Sequence, residues 1–308
     1  MVRSLALELN PEAPTERRLG RLEYLGGLIL AASDDDFGGY SGLAVDNAGA
    51  GLWAVSDRGH WLRLELQRDA AGLPRGIERA WLAPLFGVGT SGRLKGQWVD
   101  AESLRRAGNG DFLVGFERRH RLLRYRPPAL GAAPGAAEER LRLPPEAAKL
   151  PENGGLESVA VLAPDGAVLM IAEESLPGES GISPVWLQQG ETWRRLSWQR
   201  RGDFFPTDAV GLPDGGLLVL ERAFRWLNGW GARLSRVAAA DLRAAPDGSV
   251  LPAEILAEWS RPYANDNLEA MDVRRAEDGT LWLYLMSDDN QSPFQRSLLM
   301  LFRLPEKG

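Results

Sequence analysis

One hairpin motif recurs five times along the 308 residues, and 35 Gly, 20 Pro and 11 Trp suit short strands and tight turns better than long helices. Together these observations predict an all-β protein: a β-propeller, with five blades favoured and six as the alternative. The repeat plan runs across every loop, so residues 1–308 are read as a single propeller domain.

The clearest copy is the last. Asp266 to Val273 alternates apolar and polar residues, Glu277-Asp278-Gly279 turns, and Leu281 to Asn290 returns rich in aromatic and apolar residues. The others run Tyr40–Val45 to Asp57-Arg58-Gly59, Asp100–Leu104 to Glu117-Arg118, Asn153–Val161 to Glu173-Glu174, and Thr207–Val210 to Glu221-Arg222. Aligned on Ser41, Glu102, Glu157, Asp208 and Glu269, the units are 51 to 61 residues apart, a blade-sized spacing. Third strands are expected at Trp61–Leu66, Arg121–Tyr125, Pro184–Gln188, Arg233–Val237 and Ser297–Arg303. Fourth strands are expected at Ile77–Leu82, Glu139–Leu143, Trp193–Trp198 and Ala253–Trp259. The last unit runs out of chain, and the N-terminal strand Arg21–Leu25 is expected to supply its edge and close the ring. Ala129–Ala137 and Pro144–Asn153 read as surface loops, with a short helix allowed at Pro145–Leu150.

A net charge of −6 and arginines spread without a patch argue against nucleic acid as a partner. Neither a membrane-spanning apolar stretch nor a signal peptide is present in the sequence, so no membrane insertion is expected. Without cysteine, disulfides, thiolate metal sites and a cysteine nucleophile are excluded. Gly87–Gly92 matches a dinucleotide-binding spacing but lacks the strand-turn-helix context, and there is neither a Gly-x-Ser-x-Gly elbow nor a Walker A motif.

In antiparallel hairpins the start of the first strand lies beside the end of the second, so the aligned residues and the acids closing each hairpin should share one mouth of a central channel. Glu102, Glu157, Glu173, Asp208, Asn267, Glu269 and Asp288 are the candidate metal ligands. Asp57, Arg58, Glu117, Arg118, Glu221 and Arg222 are the candidate catalytic residues. Crowded carboxylates repel, and the charge is relieved by raised pKa values, arginine partners or a bound cation. Calcium suits an all-oxygen set, with magnesium as the alternative, and two histidines without cysteine make zinc a poor fit. The competing reading pairs each Glu with an arginine of a neighbouring blade. His60 and His120 occupy equivalent positions and read as loop residues, with an acid or base role as the alternative.

Phe37-Gly38-Gly39-Tyr40-Ser41-Gly42-Leu43, Ser56–Gly59, Asp100-Ala101-Glu102, Asn153–Glu157, Leu220-Glu221-Arg222, Asp266–Glu269 and Ser287–Asn290, in this order, resemble the phytase-like family with esterase-like activity. The resemblance covers about Arg21 to Phe302 and departs at Ala270, where Gly is expected, and at Gln291, where an aromatic is expected. It implies a β-propeller, periplasmic or secreted, with phosphoester or ester hydrolase activity and calcium dependence. A monomer acting on a small-molecule ester is therefore expected; the alternative is a non-catalytic binding module with a structural cation.

Overall fold

The computed structural model describes residues 2–90, 92–128, 132 and 134–305. Parts of two expected connections, Gly87–Gly92 and Ala129–Ala137, therefore lie outside the described residues. Three strands come first: β1 (Val2–Ala6), β2 (Arg18–Leu19) and β3 (Leu22–Ala32). Blade 1 is β4 (Tyr40–Val45), β5 (Gly51–Ser56), β6 (His60–Arg68) and β7 (Pro74–Pro84). Blade 2 is β8 (Ala101–Arg106), β9 (Phe112–Phe116), β10 (Arg121–Tyr125) and β11 (Glu139–Leu141). Blade 3 is β12 (Leu156–Val161), β13 (Val168–Ala172), β14 (Ile182–Gln189) and β15 (Thr192–Gln199). Blade 4 is β16 (Phe205–Gly211), β17 (Leu217–Arg225), β18 (Gly229–Val237) and β19 (Glu254–Ser260). Blade 5 joins β20 (Asn267–Arg275), β21 (Leu281–Asp288) and β22 (Ser297–Arg303) to β3 and then β1, with β2 paired to β3.

The five-bladed ring is thus closed by an N-terminal strand, with Ser297 opposite Leu30 and Arg303 opposite Glu23. That strand is longer than the expected Arg21–Leu25, and β1 adds an edge that was not foreseen. The allowed helix is a 3-10 turn at Pro145–Lys149, and a short α-helix at Ala239–Ala244 was not expected. No helix among the described residues is long and apolar enough to cross a membrane.

Each pair of neighbouring blades encloses its own apolar core, which explains the composition of the second strands. In β9, Phe112, Val114 and Phe116 pack with Trp53 and Trp61 of blade 1, while Leu113 packs with Val159 and Met170 of blade 3. A strand buried on both faces needs apolar residues at successive positions, so Phe112-Leu113-Val114-Gly115-Phe116 shows no polar alternation.

Every first strand carries a register break near its start, between Tyr40 and Gly42, Ala101 and Ser103, Leu156 and Ser158, Pro206 and Asp208, and Leu268 and Ala270. The residues left out of the ladder are Ser41, Glu102, Glu157, Thr207 and Glu269. A β-bulge leaves its extra residue unpaired and re-aims its side chain. In blade 4 the equivalent residue is therefore Thr207; the alignment on Asp208 was one residue late.

Candidate functional site

The bulges supply one ring of side chains at the channel mouth: Ser41, Glu102, Glu157, Thr207 and Glu269. A second ring comes from the residue after each position paired to the pre-bulge residue. Tyr40 pairs with Ser56, Ala101 with Phe116, Leu156 with Ala172, Pro206 with Glu221 and Leu268 with Ser287. The next residues are Asp57, Glu117, Glu173, Arg222 and Asp288. Backbone bonds fix the hairpin bases, with Asp57 N donating to Gly39 O, Glu117 N to Asp100 O and Glu173 N to Gly155 O, each 2.9 Å. Blade 4 alone supplies no acid to either ring: it contributes Thr207 and a cation, whereas blade 1 pairs Ser41 with Asp57 and the other three blades place acids in both.

Burial dominates the electrostatics of the mouth. It pushes Asp57 up to about 7, with Glu269 and Asp100 adding repulsion. It also raises Glu117 to about 7, although a hydrogen bond with Glu157 and the Gly155 amide oppose the shift. A hydrogen bond between two carboxyls requires a proton on one of them. Glu102 and Glu157 lie well above the usual carboxylate range, through burial and then neighbouring acids. Asp288 is also well above it, through burial and then Glu269 and Asp57. Asp100 and Glu173 are raised more modestly, burial again leading, with Arg118 and Arg222 respectively opposing.

Arg222 reaches across this group. Its guanidinium donates to Glu269 and to Asn267 Oδ1, and to Glu173 Oε1 at 3.4 Å. Burial alone would lower its pKa, but Glu269, Glu173, Glu157 and Glu102 hold it above the ordinary value. Glu269 also accepts from Asn267 Nδ2 at 2.8 Å and Ser41 Oγ at 2.9 Å. Asp57 differs: its Oδ1 is buried with no hydrogen-bond partner. It packs against Gly39, where a Cβ would fall 2.1 Å from that oxygen and where φ is +68°, so glycine is required twice over.

Asp57, Glu102, Glu117, Glu157, Glu173, Arg222, Asn267, Glu269 and Asp288 therefore share the mouth. The other proposed site residues lie elsewhere. Asp208 is deeper in the channel, bonded to Arg105, to Ala209 N at 2.8 Å and to Met271 N at 2.7 Å. Glu221 faces the junction of blades 3 and 4, accepting from Trp198 Nε1 at 3.2 Å and Ser235 Oγ at 3.1 Å. Arg58 is exposed and donates to Asp35 O at 2.6 Å, while Arg118, exposed at φ +50°, pairs with Asp100. His60 sits 3.4 Å from Asp36 and His120 2.9 Å from Pro151 O, and burial lowers the pKa of both. Asp100 was missed as a ligand although it stands two residues before Glu102. Arg105 was missed too, and its signal is an arginine where the equivalent positions of the other units hold Ala44, Ala160, Val210 and Asp272.

The oxygen atoms of Asp100, Glu102 and Glu117 lie within 4.8 Å of one another. Oxygens that close come within reach of one hard cation once small side-chain rotations bring them to the calcium–oxygen distance of about 2.4 Å. The donor set is all carboxylate, and the orphaned Asp57 Oδ1 lies in the same charge network, so the residues fit a hard cation.

A family model described as "Phytase-like: Esterase-like activity of phytase" matches residues 35–291. No curated protein matches the sequence. Among solved structures, luciferin-regenerating enzyme is 11% identical with a TM-score of 0.45, covering 88% of this chain and 95% of that one. U3-55K is 9% identical with a TM-score of 0.43, covering 87% and 96%. Virginiamycin B lyase from Staphylococcus aureus is 9% identical with a TM-score of 0.40, covering 100% and 90%. Likenesses this distant carry no argument about what the chain does.

Proposed function

The chain belongs to the phytase-like family, and from that premise we propose that it is a calcium-dependent hydrolase of phosphoesters or carboxyl esters acting at the acidic mouth. The observation that carries this reading is the buried excess of carboxylate over cation there, with Asp57 and Glu117 both pushed to about 7. Asp100, Glu102 and Glu117 would hold the ion, which supplies a Lewis acid to polarise the ester oxygen and acidify water. Asp57, half ionised near neutrality and with an unbonded oxygen, takes the proton from the attacking water. Arg222 brings a cation to an anionic substrate and holds Glu269 and Asn267 in place. Arg58 and Arg118 draw anions from the rim, and Glu221, turned between blades, takes no part. The same reading makes the protein a periplasmic or secreted monomer acting on small molecules.

The competing reading, a binding module with a structural cation, draws on the absence of histidine from the mouth among the described residues. Hydrolysis of 4-nitrophenyl phosphate and 4-nitrophenyl acetate, with calcium or with chelator, separates the two. The hydrolase reading expects turnover that chelator abolishes and that Asp57→Asn lowers by roughly a hundredfold or more. Calcium-induced thermal stabilisation without turnover of either ester would select the binding module.

A further inference from the structure

A groove of about 1370 Å³ runs beside the mouth at the junction of blades 4 and 5. Its lining includes Ile29, Phe224, Trp230, Tyr263, Asn265 and Phe294. Phe224 and Trp230 pack in a tilted pair with ring centroids 4.9 Å apart at 58°, yet Phe224 is 56% and Phe294 94% exposed. Large aromatic faces gathered around a concavity and left in water mark a binding surface.

One side chain links the groove to the mouth. Arg222 lies over the Trp230 ring, 5.7 Å from its centroid, while its nitrogens bond to Asn267 and Glu269 in the channel. Asp266 lines the groove and Asn267, next in the chain, belongs to the mouth. Blade 4, which forms one wall, is the blade that puts no acid into either mouth ring. The lining carries Arg261 and Arg296 beside Glu8, Glu12 and Asp266, and Arg222, behind the Trp230 ring, is the cation between this surface and the carboxylates of the mouth. Asn265, also in the lining, donates to Trp230 O at 2.9 Å.

We infer that this groove holds the apolar part of the substrate, so that the ester presented at the mouth carries an alkyl or aryl group on an anionic head. The inference rests on the hydrolase reading for what happens at the head, but the groove can be tested without turnover. Calorimetric titration of the full chain, in calcium, with methyl-, hexyl- and phenylphosphonate uses probes that are not cleaved. Each methylene buried on the rings should tighten binding by about three- to fourfold, so the hexyl and phenyl compounds bind well above the methyl one. Trp230→Ala should erase that preference. Phe294→Ala, at a side chain too exposed to disturb folding, should reduce it. Glu102→Gln should weaken all three probes alike.

Equal affinity for the three phosphonates, or a preference unchanged in both aromatic variants, overturns the inference even if ester turnover is found. A Trp230-dependent preference in a protein that cleaves neither nitrophenyl ester upholds the groove and sinks the hydrolase reading instead.

Discussion

From Glu102 to Arg105, three residues and about 10 Å along one strand, the channel passes from a chamber crowded with carboxylates to one where opposite charges meet. In the deeper tier Arg105 donates to Asp208, to Leu43 O at 3.2 Å and to Ala209 O at 2.9 Å, tying blade 2 to blades 1 and 4. Asp208 accepts from Met271 N and Asp272 from Val45 N, each 2.7 Å, carrying the connection through blade 5 and back to blade 1. At the mouth, seven carboxyls have raised pKa values, and Arg222 answers only part of that charge. The same strands can neutralise a channel carboxylate with arginine and do so at one level. The excess at the other level is not a requirement of the ring, and it opposes folding until a cation or protons relieve it.

The largest effect should come from breaking the balanced tier. Arg105→Met leaves Asp208 buried beside no cation and should cost about 3–5 kcal/mol in urea unfolding; a loss below about 1 kcal/mol would mean the pair does not lock the ring. At the mouth the sign should reverse for the acids without a cationic partner. Glu102→Gln and Glu157→Gln should raise the melting temperature of the metal-free protein and remove its response to calcium. For the native chain that response is about 2.7 kcal/mol at a hundredfold excess over Kd, a shift of a few degrees. Glu269→Gln should instead lower the metal-free melting temperature, because Arg222 loses its counter-charge and one of the two oxygens that accept from Arg222, Asn267 and Ser41 is replaced by a donor.

Smaller is the effect of pH. Asp57 and Glu117 have folded-state pKa values of about 7, above the unfolded value of roughly 4. The folded chain therefore binds more protons than the unfolded one between about pH 4 and pH 7, and metal-free stability falls as pH rises through that window. Melting curves in chelator should be higher at pH 5 than at pH 8, and calcium should flatten the difference. The smallest change is expected at the histidines. His60→Gln should leave the pH profile of ester turnover unmoved, and a displaced limb would reassign the proton transfer.

The five hairpins and the closing strand could be read from sequence because strands buried on both faces write long apolar runs between Asp-Gly and Asn-Gly turns. The site was legible only up to register. Choosing the acid at Thr207-Asp208 shifted blade 4 by one residue, since a bulge is a backbone event with no residue type of its own. The residues one place earlier, Tyr40, Ala101, Leu156, Pro206 and Leu268, carry no charge or aliphatic hydroxyl and favour Thr207, whereas Asp208 follows a threonine. The same slip set Glu221 beside Asp57 and Glu117, whereas Arg222 is their counterpart, so the one reversed charge of the mouth was mistaken for a follower of an acid. Strand β1 gave no signal because its side chains are mostly exposed or half-buried, and Val2-Arg3-Ser4-Leu5-Ala6 lacks the apolar runs of the blades.

The pairing of β3 with β22 has a temporal consequence. Synthesis delivers β3 before blades 1 to 4 and β22 after them, so those four blades can assemble while the fifth waits for strands that lie on either side of them in the chain. Contacts of such long sequence separation form slowly, and until they do the ring keeps two open edges. The seam is then the step most exposed to misassembly on the way in and the first to part on the way out. Because Ala6, Leu7, Glu8 and Ile29 line the groove, a chain caught before closure would lack one wall of that surface as well.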